Sequence, residues 1–203
     1  MKKQIITAIG ALVIFSASGQ DFQADQKAFR DSYSNENAKL YDRAAENIRQ
    51  VYNDKSYEMN LRMGWLMYLQ GKYIESQKFY EKAIALEPRS IEAKFGLVYP
   101  LAAGQKWDDV LRQYENILQI DPFQPTTLYR VSLIHYNRGS FAQAKKYADS
   151  YMQIYPFNFD GLSLAGWIEL KMGNKSAAKT YFERALLHTP DDKTTLEGLT
   201  LCK

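Results

Sequence analysis

The sequence predicts an all-α protein, a solenoid of stacked helix pairs. Three observations predict it. Four segments of 34 residues, 57–90, 91–124, 125–158 and 159–192, abut without gaps and align on one another. Pro88, Pro122, Pro156 and Pro190 fall at the same place in each, where a residue that cannot donate a backbone hydrogen bond ends a helix. Apolar residues recur at intervals of three and four in each half-segment, the pattern of an amphipathic helix.

Each half-segment then has its own register. Met63, Leu97, Val131 and Ala165 align in the first helix. Tyr73, Trp107 and Phe141 align near the start of the second, with Lys175 as the departure. Ser76, Val110, Ala144 and Ala178 follow, then Tyr80, Tyr114, Ala148 and Phe182, then Ala83, Ile117, Tyr151 and Ala185. Small residues among them let neighbouring helices approach closely. Gly71, Gly139 and Gly173 supply the backbone freedom of the turn between helices; Gly104 stands one position earlier in the second segment. No single helix pair can bury its own apolar face, so neighbours must stack to share a core. Pro100 lies inside a predicted first helix and crowds the carbonyl of Gly96, which predicts a kink.

The flanks are less regular. Leu40, Ala44, Ile48 and Val51 form a stripe that predicts helix over at least residues 37–52, and residues 22–34 form a second, weaker helix. Residues 20–56 are read as an N-terminal helical cap or degenerate repeat. Leu196, Leu199 and Leu201 predict a short capping helix over 193–203. Residues 1–19 have the layout of an export signal: Lys2 and Lys3, an apolar stretch over 5–17, then Ala17-Ser18-Gly19, with cleavage expected between Gly19 and Gln20. The mature chain is then expected in the periplasm or secreted, without membrane insertion, since the apolar run is short for a bilayer span.

The aligned pattern resembles the tetratricopeptide repeat (TPR) family over 57–192. Met63-Gly64 and Ala165-Gly166 occupy the family's Leu-Gly position, and Asn60, Lys94, Leu128 and Leu162 stand where the family carries a Trp. The resemblance implies a right-handed superhelix of helix-turn-helix repeats. It also implies that the first helices line a concave groove through the second, fifth, ninth and twelfth repeat positions. Those positions hold Trp65, Tyr68, Phe95, Tyr99, Tyr129, Tyr136 and Trp167 as an aromatic band, with Glu58, Glu92 and Asp160 at its rim. Arg62 and Arg130, one position past the fifth, are expected to pair with those acids or with a ligand carboxylate. Large rings with polar tips carry much of the energy of protein interfaces, and such a groove suits a peptide or partner helix. The family's clamp for chaperone tails is not expected. Leu61, Trp65, Gly96 and Thr126 replace four of its five polar residues, and only Arg130 fits.

Composition narrows the function classes. Hydrophobic residues make up 46% of 203, enough for a folded core. Without Lys2 and Lys3, 24 basic residues face 23 acidic ones, so no electrostatic case arises for nucleic acid. Cys202 is the single cysteine and cannot form an internal disulfide. His135 and His188 lie in different repeats, and no metal-ligand spacing, phosphate loop or nucleophile motif accompanies them. The expectation is an exported adaptor without enzymatic activity, metal or cofactor that holds a protein or peptide. One alternative is a scaffold whose groove is filled by its own N-terminal segment, assembling through its convex face or by self-association. A sugar stacked on the same rings is a further reading.

Overall fold

A computed structural model describes the backbone of residues 9–203 and the side chains from residue 22. Of the expected export signal, residues 1–8, with Lys2 and Lys3, lie outside the described residues, and the backbone of 9–19 belongs to the first helix. Among the described residues there are eleven helices and no strand. They are α1 (Ile9–Asn37), α2 (Tyr41–Arg49), α3 (Tyr57–Leu69), α4 (Tyr73–Leu86), α5 (Ile91–Ala103), α6 (Trp107–Ile120), α7 (Pro125–Asn137), α8 (Phe141–Ile154), α9 (Phe159–Lys171), α10 (Lys175–His188) and α11 (Lys193–Leu201). None of the described helices is long and apolar enough to cross a membrane. The chain divides into two compact units, one ending at Lys106 and the other starting at Trp107.

The 34-residue period is written into the caps. Ser56, Ser90, Gln124, Asn158 and Asp192 each accept a hydrogen bond from the backbone N–H three residues on, at the starts of α3, α5, α7, α9 and α11. Each satisfies a donor that the first helical turn leaves without a partner. The turns inside the pairs use left-handed backbone at Gly71, Gly139 and Gly173 (φ 73°, 73° and 83°), where glycine carries no steric penalty. Two turns break the glycine rule. Gln105 (φ 57°), not Gly104, takes the left-handed position between α5 and α6, and Lys39 (φ 59°) takes it between α1 and α2. The Lys39 turn corrects the continuous helix expected over 37–52, because the chain reverses over 38–40.

In the first unit the core joins Ala44, Ala45 and Ile48 of α2 to Met59, Met63, Leu66 and Met67 of α3. Asn60 and Lys94, standing where the family places Trp, are buried and reach back to loop carbonyls. Asn60 Nδ2 donates to Asp54 O and Ser56 O at 2.9 and 2.7 Å, and Lys94 Nζ donates to Pro88 O. Tyr80 of α4 lies across Gly64 of α3 and Gly96 of α5: a Cβ built on Gly64 meets its ring at 2.9 Å and one on Gly96 at 2.1 Å. Helix α5 continues through the buried Pro100. The space left by the missing side chain at Gly96 is filled by the Tyr80 ring.

The second unit repeats the device with α9, α10 and α11. Phe182 lies across Gly166 and Gly198, where added Cβ atoms would meet its ring at 2.6 and 2.5 Å. Its other core joins Ala144 and Ala148 of α8 to Leu164 and Ile168 of α9. Leu164 stands at the repeat position held by Gly96 and Gly198, and Ala148 stands at that of Tyr80 and Phe182. Bulk on a second helix is thus exchanged for bulk on the following first helix, which keeps the interior filled.

Candidate partner-binding face

The first unit gathers the aromatic residues of its first helices. The Trp65 and Tyr68 rings stack at 5.5 Å and 29°. Tyr99 of α5 meets Trp65 edge-on at 5.8 Å and Tyr68 at 5.5 Å. Tyr73, at the start of α4, adds a fourth ring 5.8 Å from Tyr68. Offset and edge-to-face pairs at these separations are the favoured aromatic geometries. Tyr99 keeps 49% of its surface exposed, while Trp65 and Tyr68 are half-buried. Phe95, also on α5, is half-buried.

Helix α1 fixes this cluster from one side. The Glu36 carboxylate accepts from the Trp65 indole N–H at 2.6 Å through one oxygen and bonds the Arg62 guanidinium through the other. Ser32 Oγ accepts from Arg62 Nε and Nη2 at 3.0 and 2.9 Å, and the guanidinium carbon sits 3.9 Å above the Tyr33 ring. Arg62 is therefore 6% exposed. This departs from the expected role of Arg62: it pairs with neither Glu58 nor Glu92 and lies inside the fold, because Ser32, Tyr33 and Glu36 satisfy it.

In the second unit the corresponding residues are also half-buried, but each touches a ring of a second helix. Tyr129 rests on the Ala144–Leu164 core with Leu133 and Tyr136, and its ring lies 5.6 Å from Tyr151. Burial raises the pKa of Tyr129 first, with the Asp160 charge adding to it. Tyr136 lies 5.8 Å from Phe141, and Trp167 meets Phe182 edge-on at 5.4 Å. Arg130 is exposed on α7. The expected single band is therefore a mutually touching group in the first unit and separate packing contacts in the second. In the second unit Lys145 of α8 pairs with the buried Glu169 of α9 at 2.6 Å. Burial of Glu169 opposes its ionisation, but hydrogen bonds from Lys145 and Asn174 bring its pKa below the ordinary carboxylate value.

Sequence reasoning missed Tyr33, Glu36 and Tyr73 as members of the face. A signal was present: laying residues 25–37 on 57–69 puts Ser32, Tyr33 and Glu36 at the places of Gly64, Trp65 and Tyr68. Among the described residues no group of three or more potential metal ligands occurs.

Paired helices of fixed length, capped every 34 residues and joined by left-handed turns, define a helical-repeat protein. The tetratricopeptide repeat model matches residues 57–90 and 160–192, so the chain carries tetratricopeptide repeats in the first and last of its four 34-residue segments. Among solved structures it is similar to MamA (16% identity, TM-score 0.71, covering 81% of this chain and 91% of that one). It is also similar to a tetratricopeptide repeat protein of Parabacteroides merdae (17%, TM-score 0.76, covering 89% and 72%). A third is YrrB, described as a TPR protein with an unusual peptide-binding site (13%, TM-score 0.72, covering 92% and 97%). At these identities the likeness is one of fold. Curated relatives include the Hsp70-Hsp90 organizing protein 2 of Arabidopsis thaliana, 23% identical over 64% of this chain. A TPR repeat-containing protein of Methanocaldococcus jannaschii is 28% identical over 63%. The match spans 22% of the length of each of these two relatives.

Proposed function

We propose that this protein is a non-enzymatic adaptor that holds a protein or peptide partner on the aromatic face of α3 and α5. One observation carries the reading: Trp65, Tyr68 and Tyr99 touch one another, Tyr99 remains half exposed, and the Trp65 edge is held by Glu36. Rigid, pre-oriented rings lose little entropy when they bind, which is what an interface anchor needs. The peptide-binding site in the description of YrrB, which shares the fold, supports it. Helix α9, through Trp167, and helix α7, through Tyr129, Tyr136 and Arg130, are secondary to this face. A chaperone tail is not the proposed ligand, because Leu61, Trp65, Gly96 and Thr126 replace the polar clamp. The layout of residues 1–19 supports a partner outside the cytoplasm.

The double change Trp65→Ala, Tyr99→Ala is expected to abolish capture of the partner in a tagged pull-down while the helical circular dichroism signal persists. Unchanged capture would overturn the assignment. A second reading has one observation in its favour: α1 already occupies Arg62 and the Trp65 edge. In that reading the face is an internal seam, and the protein assembles through other surfaces. Size-exclusion chromatography separates the two, since the second requires a defined oligomer that survives the double substitution.

A further inference from the structure

The charges around this face define the chemistry of what it holds. Helices α3 and α5 each carry one acid and one base: Glu58 and Arg62, Glu92 and Lys94. Both bases are turned inward, each 6% exposed. Arg62 is consumed by Glu36 and Ser32, and Lys94 by the Pro88 carbonyl. Both acids stay exposed. Glu92 accepts from the Tyr57 hydroxyl at 3.1 Å and Glu58 from Ser56 Oγ at 2.8 Å, bonds that hold the carboxylates in place and leave other lone pairs free. The two helices thus present carboxylates and aromatic rings and no exposed cation. Ring faces are electron-rich and attract cations, and a guanidinium both stacks on rings and pairs with carboxylates.

We infer that the face takes an extended peptide segment bearing arginine or lysine, a refinement that rests on the proposed function. Spacing gives the segment its form. Glu58 precedes Trp65, and Glu92 precedes Tyr99, by seven residues, about 10 Å along a helix. An extended chain covers that distance in about three residues. The basic side chain meets Glu58 and Glu92, and a residue about three positions away, aromatic or a second cation, lies on Tyr99 and Trp65.

Selection of a randomised dodecapeptide display library on the full chain tests this. Enriched peptides are expected to contain arginine or lysine at a fixed spacing from a second conserved residue. Their affinity should fall about tenfold in Glu58→Gln, Glu92→Gln, since two exposed pairs are lost. It should also fall with added salt, and vanish in Trp65→Ala, Tyr99→Ala. Peptides that lack basic residues, ignore the Glu→Gln pair and still require Trp65 and Tyr99 would overturn the basic-segment inference and leave the face standing. Peptides that bind the Trp65→Ala, Tyr99→Ala protein unchanged would overturn the face itself.

Discussion

The two units apply one repeat pattern to opposite ends. In the first, the aromatics of α3 and α5 meet one another, and the buried ion pair behind them, Arg62–Glu36, joins α3 to α1. In the second, Tyr129 and Trp167 pack on Tyr151 and Phe182 of the second helices, and the ion pair Lys145–Glu169 joins α8 to α9. The same groove position therefore joins a ring cluster in one unit and rests on a second helix in the other: Trp65 touches Tyr99 of the next first helix, whereas Trp167 touches Phe182.

The most severe test of this contrast is Glu36→Ala. It leaves the Arg62 guanidinium buried with only Ser32 and the Tyr33 ring, and it frees the Trp65 indole. Breaking a buried pair from one side costs about 3–5 kcal/mol. Glu36 retains 22% side-chain exposure, which places the loss near the lower end. Urea unfolding should show that loss. Hydrogen exchange should locate it in α1–α3, with α8–α11 protected as before, because repeats feel chiefly their neighbours. A uniform loss across both units would break the comparison.

Next come the glycines under the two aromatic rings. Gly96→Ala puts a methyl group 2.1 Å from Tyr80 Cε1, and overpacking of this kind costs about 2–3 kcal/mol. Gly198→Ala puts one 2.5 Å from Phe182 Cζ. The overlap is smaller than at Gly96, so the cost there is about 1 kcal/mol. Tyr80→Leu should rescue Gly96→Ala in part. Thermal unfolding of the single and double variants measures the coupling, and simple additivity would refute the contact.

The second unit should carry an acid-sensitive component. Glu169 is depressed below its ordinary 4.5, after burial is offset by Lys145 and Asn174. A depressed folded value means its contribution is complete above about pH 4.5 and is lost as pH falls through the folded value. Lys145 is raised from 10.5, foremost by its hydrogen bond to Glu169, so its contribution disappears only as pH rises through that higher value. The pair is partly exposed, which limits the effect to about 1 kcal/mol. Glu169→Gln is expected to flatten the acid limb of stability against pH in urea titrations; an unchanged limb would remove Glu169 as its source.

How much of this was legible in the sequence follows from which interactions are periodic. The four repeats were legible because Pro88, Pro122, Pro156 and Pro190 mark every second helix end. The break at 38–40 was not, because Lys39 adopts left-handed backbone without a glycine to announce it. Gly104 misled in the opposite sense, since its neighbour Gln105 takes the turn. The face positions were legible by register. Their fates were not, because whether Trp167 is shared with a partner or packed depends on Phe182, and whether Arg62 faces outward depends on Glu36, 26 residues away.

The smallest expected difference is the one between the caps of the two units. Ser90 accepts from Ala93 N at 3.0 Å and also bonds the Tyr57 hydroxyl at 2.7 Å. Asn158 accepts only the Gly161 N–H, at 2.9 Å, among the hydrogen bonds of the described side chains. Loss of an N-cap costs about 1 kcal/mol, and loss of one further partly buried hydrogen bond adds about 0.5 kcal/mol. Ser90→Ala should therefore destabilise more than Asn158→Ala, by roughly that increment. It should also loosen Glu92, which shares the Tyr57 hydroxyl. Burial foremost holds the Tyr57 phenol above its usual range, so it remains a neutral donor at physiological pH. A Tyr57→Phe variant should reproduce the increment without the cap loss. If Ser90→Ala and Asn158→Ala prove equal in urea midpoint, the Tyr57 link contributes nothing, and the placement of Glu92 must be sought in α5 alone.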